Sequence, residues 1–306
     1  MKIREEFAKQ IFELGKKNKN LVVMVGDISH GIFKDFRSFF PDRYYNIGIC
    51  ESSMTNVAAG LSKVGLNPVI HTISPFLIER SYEQIKLDFG YQKQPINIVT
   101  VGGAFDYSKL GCSHHCYTDV SLISHFKNSN IITPGSNIEF KKLFKNVYKK
   151  NKINYFRLPE NKHDTIFKSN EIKLGKAIKV MSGNDVTLVT FGGMLSEAKI
   201  AADQCKKSGI NVDLLYFHTL KPFDFKTIKK SVAKTKKIVT VEDLSAHDGL
   251  FSLCLKSIVD LNDVKVKQLA IKDFIHDYGS FKDLCRKAKI DNLNITKEIK
   301  KIYSDK

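Results

Sequence analysis

One glutamate stands where a carboxylate can act on a bound ligand. In Gly48-Ile49-Cys50-Glu51-Ser52-Ser53-Met54-Thr55-Asn56-Val57-Ala58-Ala59-Gly60-Leu61, Glu51 follows an apolar run and precedes a helix of small residues. Ser52 and Ser53 can cap that helix, and Ala58, Ala59 and Gly60 let it approach another backbone closely. Ligands of α/β sheets bind beyond the carboxyl ends of strands, which is the place Glu51 takes. The plainer alternative is a first-turn glutamate facing the helix dipole. Downstream, His114 and His115 lie in a glycine-bearing loop, Leu110-Gly111-Cys112-Ser113-His114-His115-Cys116-Tyr117-Thr118-Asp119. Histidine suits proton movement near neutral pH, because its unperturbed pKa is about 6.5. Cys112, His114, His115 and Cys116 also offer zinc ligands within five residues. Structural zinc sites draw on two ligand pairs separated along the chain, and no second pair is present. Phe76 reads either as an aromatic face for a ring ligand or as plain helix core.

The elements that must position these residues follow a regular alternation. β-rich runs at 21–25, 44–49, 68–71, 96–101, 131–133 and 154–157 alternate with helical patterns at about 3–17, 52–64, 76–89, 117–127 and 137–150. That order predicts βαβ units and a parallel, doubly wound sheet. Residues 158–164, with Pro159 and a polar run, break the pattern. A second α/β set has strands at 185–191, 211–216, 237–241 and 264–266, and helices at about 194–208, 223–234 and 247–260. The expected fold is therefore α/β with two doubly wound domains: residues 1–160, a linker at 161–172, and residues 173–306.

Composition narrows the class. At 306 residues two domains are natural, and a chain of this size buries enough surface to need no disulfide or metal staple. Hydrophobic residues at 42% and charged residues at 26% exclude a disordered or fibrous protein. No apolar run approaches the roughly 20 residues that cross a bilayer, and the start, Met1-Lys2-Ile3-Arg4-Glu5-Glu6, is unlike a signal peptide. Six scattered cysteines fit a reducing cytoplasm. Lys+Arg 49 against Asp+Glu 32 leaves a net +17, which admits a nucleic-acid partner. The lysine runs are dispersed and lack interleaved aromatics, so a lysine-rich solvated surface is the better reading and neither nucleic acid nor membrane is expected.

The Glu51 segment resembles the pyrimidine-domain signature of transketolases and of the related deoxyxylulose-phosphate synthases. His71-Thr72-Ile73-Ser74-Pro75-Phe76-Leu77-Ile78-Glu79-Arg80-Ser81-Tyr82-Glu83-Gln84-Ile85 resembles that family's cofactor-ring segment. Leu110–Asp119 is similar to its histidine-pair loop, and Thr219-Leu220-Lys221-Pro222-Phe223-Asp224 to an element of its C-terminal domain. The likeness runs from about residue 3 to 270 and implies a pyrimidine-binding domain followed by a transketolase C-terminal-like domain.

The resemblance implies thiamine diphosphate as cofactor and a two-carbon ketol transfer between a ketose and an aldose. Glu51 would hydrogen-bond the aminopyrimidine ring nitrogen and so favour the tautomer that activates the thiazolium carbon. Phe76, Arg80 and Tyr82 would lie along the cofactor. His114 and His115 would meet the donor sugar, with Glu51 and His114 catalytic, and Arg4 and Arg157 would bind a sugar phosphate. Leu110 and Gly102 depart from the family pattern at positions that usually carry a sugar-reading aspartate and a histidine, which points to a specialised sugar pathway. The family's Gly-Asp-Gly metal element is absent, and only Gly26-Asp27-Ile28 appears. The expectation is thus a split enzyme. A separate N-terminal subunit would carry the diphosphate and Mg²⁺ site, this chain would hold no metal ligands, and the pair would form an α2β2 assembly. A 2-oxoacid dehydrogenase beta chain and a deoxyxylulose-phosphate-synthase-like enzyme are the rival enzyme readings; a basic nucleic-acid-binding protein is the remote one.

Overall fold

A computed structural model of the chain describes residues 1–305. In its first half, β1 (Leu21–Val25), β2 (Tyr44–Asn46), β3 (Asn67–Ile73), β4 (Ile96–Val101), β5 (Ser129–Ile132) and β6 (Ile153–Leu158) form a parallel sheet in the order β2-β1-β3-β4-β6-β5. Helices on both faces bury these strands, which is why runs such as Ile96–Val101 are β-branched and buried throughout. A ladder of buried asparagines sets the register. The Asn97 amide donates to Asn67 (2.8 Å), that of Asn154 to Asn97 (3.1 Å), and that of Asn130 to Asn154 (2.8 Å). Slipping any strand by one residue would bury these amides unpaired. The ladder therefore fixes the opposite ends of the strands, where the candidate residues project.

The second half contributes β7 (Ile178–Met181), β8 (Val186–Phe191), β9 (Val212–Phe217), β10 (Thr219–Lys221), β11 (Lys237–Ser245) and β12 (Lys265–Ile271). Five of them form a sheet in the order β7-β9-β8-β11-β12, with β7 antiparallel. The sixth, β10, leaves this lobe and pairs antiparallel with β5 at the edge of the first sheet. The alternation of runs did not anticipate it, because it is three residues long and only His218 separates it from β9. It protects an otherwise open sheet edge and interlocks the lobes beyond the irregular stretch 159–177.

Two buried polar hubs tie the lobes together. Glu139 accepts from the Tyr216 hydroxyl (2.6 Å) and the Gly135 N–H (2.9 Å), with His163 Nε2 at 2.9 Å. Arg157 on β6 meets Asp119 of its own lobe and Asp243 on β11.

Several expected elements differ in detail. The single helix expected at 76–89 is instead a π-helical turn at Pro75–Glu79, a one-turn helix at Tyr82–Gln84 and a second π-helical stretch at Ile85–Tyr91. Buried Ser81 interrupts it. The helix expected at 117–127 shrinks to Asp119–Ser124, and helices at Lys34–Phe39, Phe281–Lys287 and Asn292–Ser304 were not expected at all.

Candidate active site

The chemistry-bearing residues follow the carboxyl ends of adjacent strands. After β2, Gly48 takes a left-handed backbone (φ +74°) that a side chain would strain, and the chain turns into the helix Glu51–Lys63. Glu51 is thereby the first helical residue and is 1% exposed. After β3, the buried Ser74 hydroxyl donates toward Thr100 (2.8 Å) and the Val101 carbonyl (3.1 Å), anchoring the π-helical turn that carries Phe76. π-helical turns place side chains off the regular helical spacing and concentrate at functional sites. After β4 comes the loop with His114, formed by a short 3₁₀ turn at Cys112–His114.

These segments meet in a continuous run of contacts. Arg80 Nη1 donates to Glu51 Oε2 at 2.7 Å, and its guanidinium carbon lies 4.5 Å from the Phe76 ring centroid. The Phe76 ring meets the His114 ring edge-on at 5.0 Å, and Tyr107 flanks His114 at 6.3 Å. Burial lowers the His114 pKa, which favours the neutral ring, a form that can both donate and accept. Glu51 Oε1 is buried without any hydrogen-bond partner. A carboxylate oxygen desolvated and left unpaired is costly unless a ligand completes it. A ring nitrogen of an aminopyrimidine, with Phe76 presenting an aromatic face nearby, is a donor of the right kind. The residues present fit the cofactor that the sequence suggested.

Not every expected residue joins them. Arg157 is 5% exposed and fully engaged: Nε donates to Asp119 (2.9 Å), Nη1 to Asp243 (3.1 Å to each carboxylate oxygen) and Nη2 to the Cys116 carbonyl (3.4 Å). Burial works against its cation, but Asp119 and Asp243 overcome this and raise its pKa. It has no free fork for a phosphate, which corrects the expectation drawn from the motif. Arg4 keeps some exposure but lies 3.4 Å from Glu160. Tyr82 is partly buried and packs against the core beside Phe126, with ring centroids 5.7 Å apart. His115 is buried against Phe105; burial and the neighbouring His114 lower its pKa, against a hydrogen bond with the Ser108 backbone that raises it.

The structure also adds residues that sequence reasoning passed over. In the loop after β1, Asp27 and Ser29 both hold left-handed backbones (φ +53° and +64°). Asn46 grips Asp27 by two hydrogen bonds, and Ser29 meets Nε2 of the buried His71 at 3.0 Å. The signal available was positional, since Gly26-Asp27 directly ends a strand of the same sheet.

The family model described as "Transketolase, pyrimidine binding domain" matches residues 1–164, and "Transketolase, C-terminal domain" matches residues 175–295. The chain belongs to the transketolase family. One of the subunits of the apulose-4-phosphate transketolase of Phocaeicola vulgatus is 27% identical over 273 residues, 88% of this chain and 87% of that protein. A 6-deoxy-6-sulfo-D-fructose transketolase subunit from a Clostridium species is 27% identical over 279 residues, 90% of this chain and 87% of that one. The solved structure of a "Split gene transketolase, inactive beta4 tetramer" superposes with a TM-score of 0.87 at 26% identity, covering 99% of this chain and 98% of that chain. This transketolase chain thus matches two transketolase subunits and a split-gene transketolase chain over 87–98% of their lengths.

Proposed function

We propose that the chain completes a thiamine-diphosphate-dependent enzyme that moves a two-carbon ketol unit from a ketose to an aldose in a specialised sugar pathway. The observation that carries this reading is the buried, partnerless Glu51 Oε1 beside Phe76 and His114. Glu51 would hold the pyrimidine ring through a shared proton, with Arg80 fixing the other carboxylate oxygen so that Oε1 alone faces the ring. When bound, thiamine diphosphate supplies a carbon acid whose anion attacks carbonyls. His114 would exchange hydrogen bonds, and a proton, with a hydroxyl of the sugar. Phe76 and Tyr107 flank that imidazole, with ring centroids 5.0 and 6.3 Å from it.

The partner in this proposal is a separate chain bearing the diphosphate and Mg²⁺ ligands, joined in an α2β2 assembly. The two similar transketolases are named for apulose 4-phosphate and for a sulfo-sugar, which supports a sugar with an anionic group; of the two arginines considered, only Arg4 retains an accessible side chain. We place the domain boundaries at 1–160 and 173–306 and the protein in the cytoplasm. Its six cysteines are all unpaired, and among the described residues no helix is long and apolar enough to cross a membrane.

The test is co-expression with a candidate diphosphate-domain chain from the same genome, followed by an assay of ketol transfer with and without thiamine diphosphate. Cofactor-dependent transfer by the pair alone is expected. Tight cofactor and Mg²⁺ binding by this chain in isolation, or oxidative turnover of a 2-oxoacid by the pair, would overturn the reading.

A further inference from the structure

Neighbouring residues 79 and 80 reach to different sides of the candidate site. Arg80 turns to Glu51, while the Glu79 carboxylate turns to the histidine loop, where Oε1 accepts from the Thr118 hydroxyl and from Cys116 Sγ at 3.6 Å. Burial raises the Cys116 pKa far above the usual thiol value, so its sulfur keeps the proton it donates. Desolvation also raises the Glu79 pKa, although the two hydrogen bonds counter it and the residue keeps an exposed flank. The turn Pro75–Glu79 carries Phe76, and the loop carries His114, whose rings touch at 5.0 Å. One carboxylate therefore bridges the two segments whose spacing sets that contact.

The far end of the same loop is anchored independently. Asp119, next to Thr118, holds Arg157 Nε and accepts from the Tyr155 hydroxyl (2.5 Å), and Arg157 carries the connection to Asp243 in the second lobe. Without Glu79, the histidine loop would still be fixed to the sheet and to the second lobe, but it would lose its hydrogen bonds to the turn that carries Phe76. We propose that Glu79 is a positioning residue: it holds His114 in register with the Phe76–Arg80–Glu51 run and does not itself touch the reacting groups. Its consequence for turnover rests on the ketol-transfer reading; the tether itself does not.

Two readouts separate these claims. In the co-purified pair, Glu79→Ala is expected to lower kcat by about 10- to 100-fold, the effect of misplacing a catalytic group by about an ångström, with a smaller change in donor KM. Glu79→Gln keeps an oxygen that accepts from Thr118 and should stay within about threefold of the parent. Thr118→Val, which leaves the 75–80 turn untouched, should reproduce most of the alanine loss and serves if Glu79→Ala does not fold. The second readout needs no turnover. Cys116 is buried in the same loop and donates to Glu79, so in a Cys50→Ser, Cys112→Ser background its labelling by dithiobis-nitrobenzoate, located by peptide mass, reports loop opening in the full chain. Glu79→Ala and Thr118→Val should speed that labelling by about fivefold or more, as local opening becomes easier, and Glu79→Gln should not. Unchanged labelling and kcat in Glu79→Ala, or equal loss in the glutamine and alanine variants, would overturn the proposal. A parent pair without ketol transfer would sink the functional reading while the labelling still judged the tether.

Discussion

Two arginine–carboxylate pairs divide this molecule by purpose. Arg157 is buried between Asp119 and Asp243 and its three guanidinium nitrogens are all satisfied. Arg80 has a 47% exposed side chain and holds one oxygen of a 1% exposed Glu51, leaving the other oxygen bare. The first pair is complete within the chain and joins two lobes. The second is incomplete and waits for a donor from outside. A family motif treats both arginines as site residues, and saturation of their hydrogen bonds is what separates them.

Removing the bare carboxylate should give the largest effect. Glu51→Gln in the co-purified pair is expected to cut ketol transfer by about 10²–10⁴-fold while leaving the melting temperature nearly unchanged; turnover that survives the substitution would erase the distinction between the pairs. Breaking the complete pair should instead cost stability. Arg157→Met strands two buried carboxylates and should destabilise the chain by about 3–5 kcal/mol, measured by denaturant unfolding. A loss below about 1 kcal/mol would mean that Arg157 is free enough to serve a ligand after all.

A third prediction concerns pH. His71, buried beneath the loop after β1, has its pKa lowered to about 4, chiefly by burial. The unfolded chain takes up that proton near pH 6.5 and the folded chain only near 4. Stability attributable to His71 is therefore complete above pH 6.5 and lost as pH falls toward 4, by roughly 3 kcal/mol in all. Asp106 and Glu242, both raised by burial to about 7, oppose this trend by favouring the folded state at low pH. The informative quantity is thus the difference between parent and His71→Gln across pH 4–7, and parallel stability curves would refute the assignment. A smaller loss of stability than for Arg157→Met is expected for Arg80→Met, because solvent reaches its 47% exposed side chain and screens the pair. Its turnover should fall further than its stability, because Glu51 then loses the contact that orients it. An equal fall in both would make Arg80 a structural residue like Arg157.

Much of the fold was legible because its strands are continuous β-branched runs, with Ile96–Val101 and the helix Ile3–Lys17 appearing at their expected limits. The placement of Glu51 was legible too, since a turn followed by a small-residue helix sets a carboxylate in the first helical turn; its chemistry was not, because spacing alone also fits a partner for the helix dipole. The broken helix at 75–91 was not, because its apolar spacing is nearly that of a regular helix and only the buried Ser81 and the π-helical turns change the direction of Phe76 and Arg80.

The sequence by itself determined the main strand–helix alternation, the two α/β lobes and the first-turn placement of Glu51, since these depend on local periodicity and on residues adjacent in the chain. Tertiary structure alone decided which cations remain available. Arg157 meets Asp243 across 86 positions of chain, and β10, in the chain of the second lobe, pairs with β5 of the first sheet. Charge compensation between distant segments leaves no periodic trace along a chain, so it becomes visible only when the segments meet.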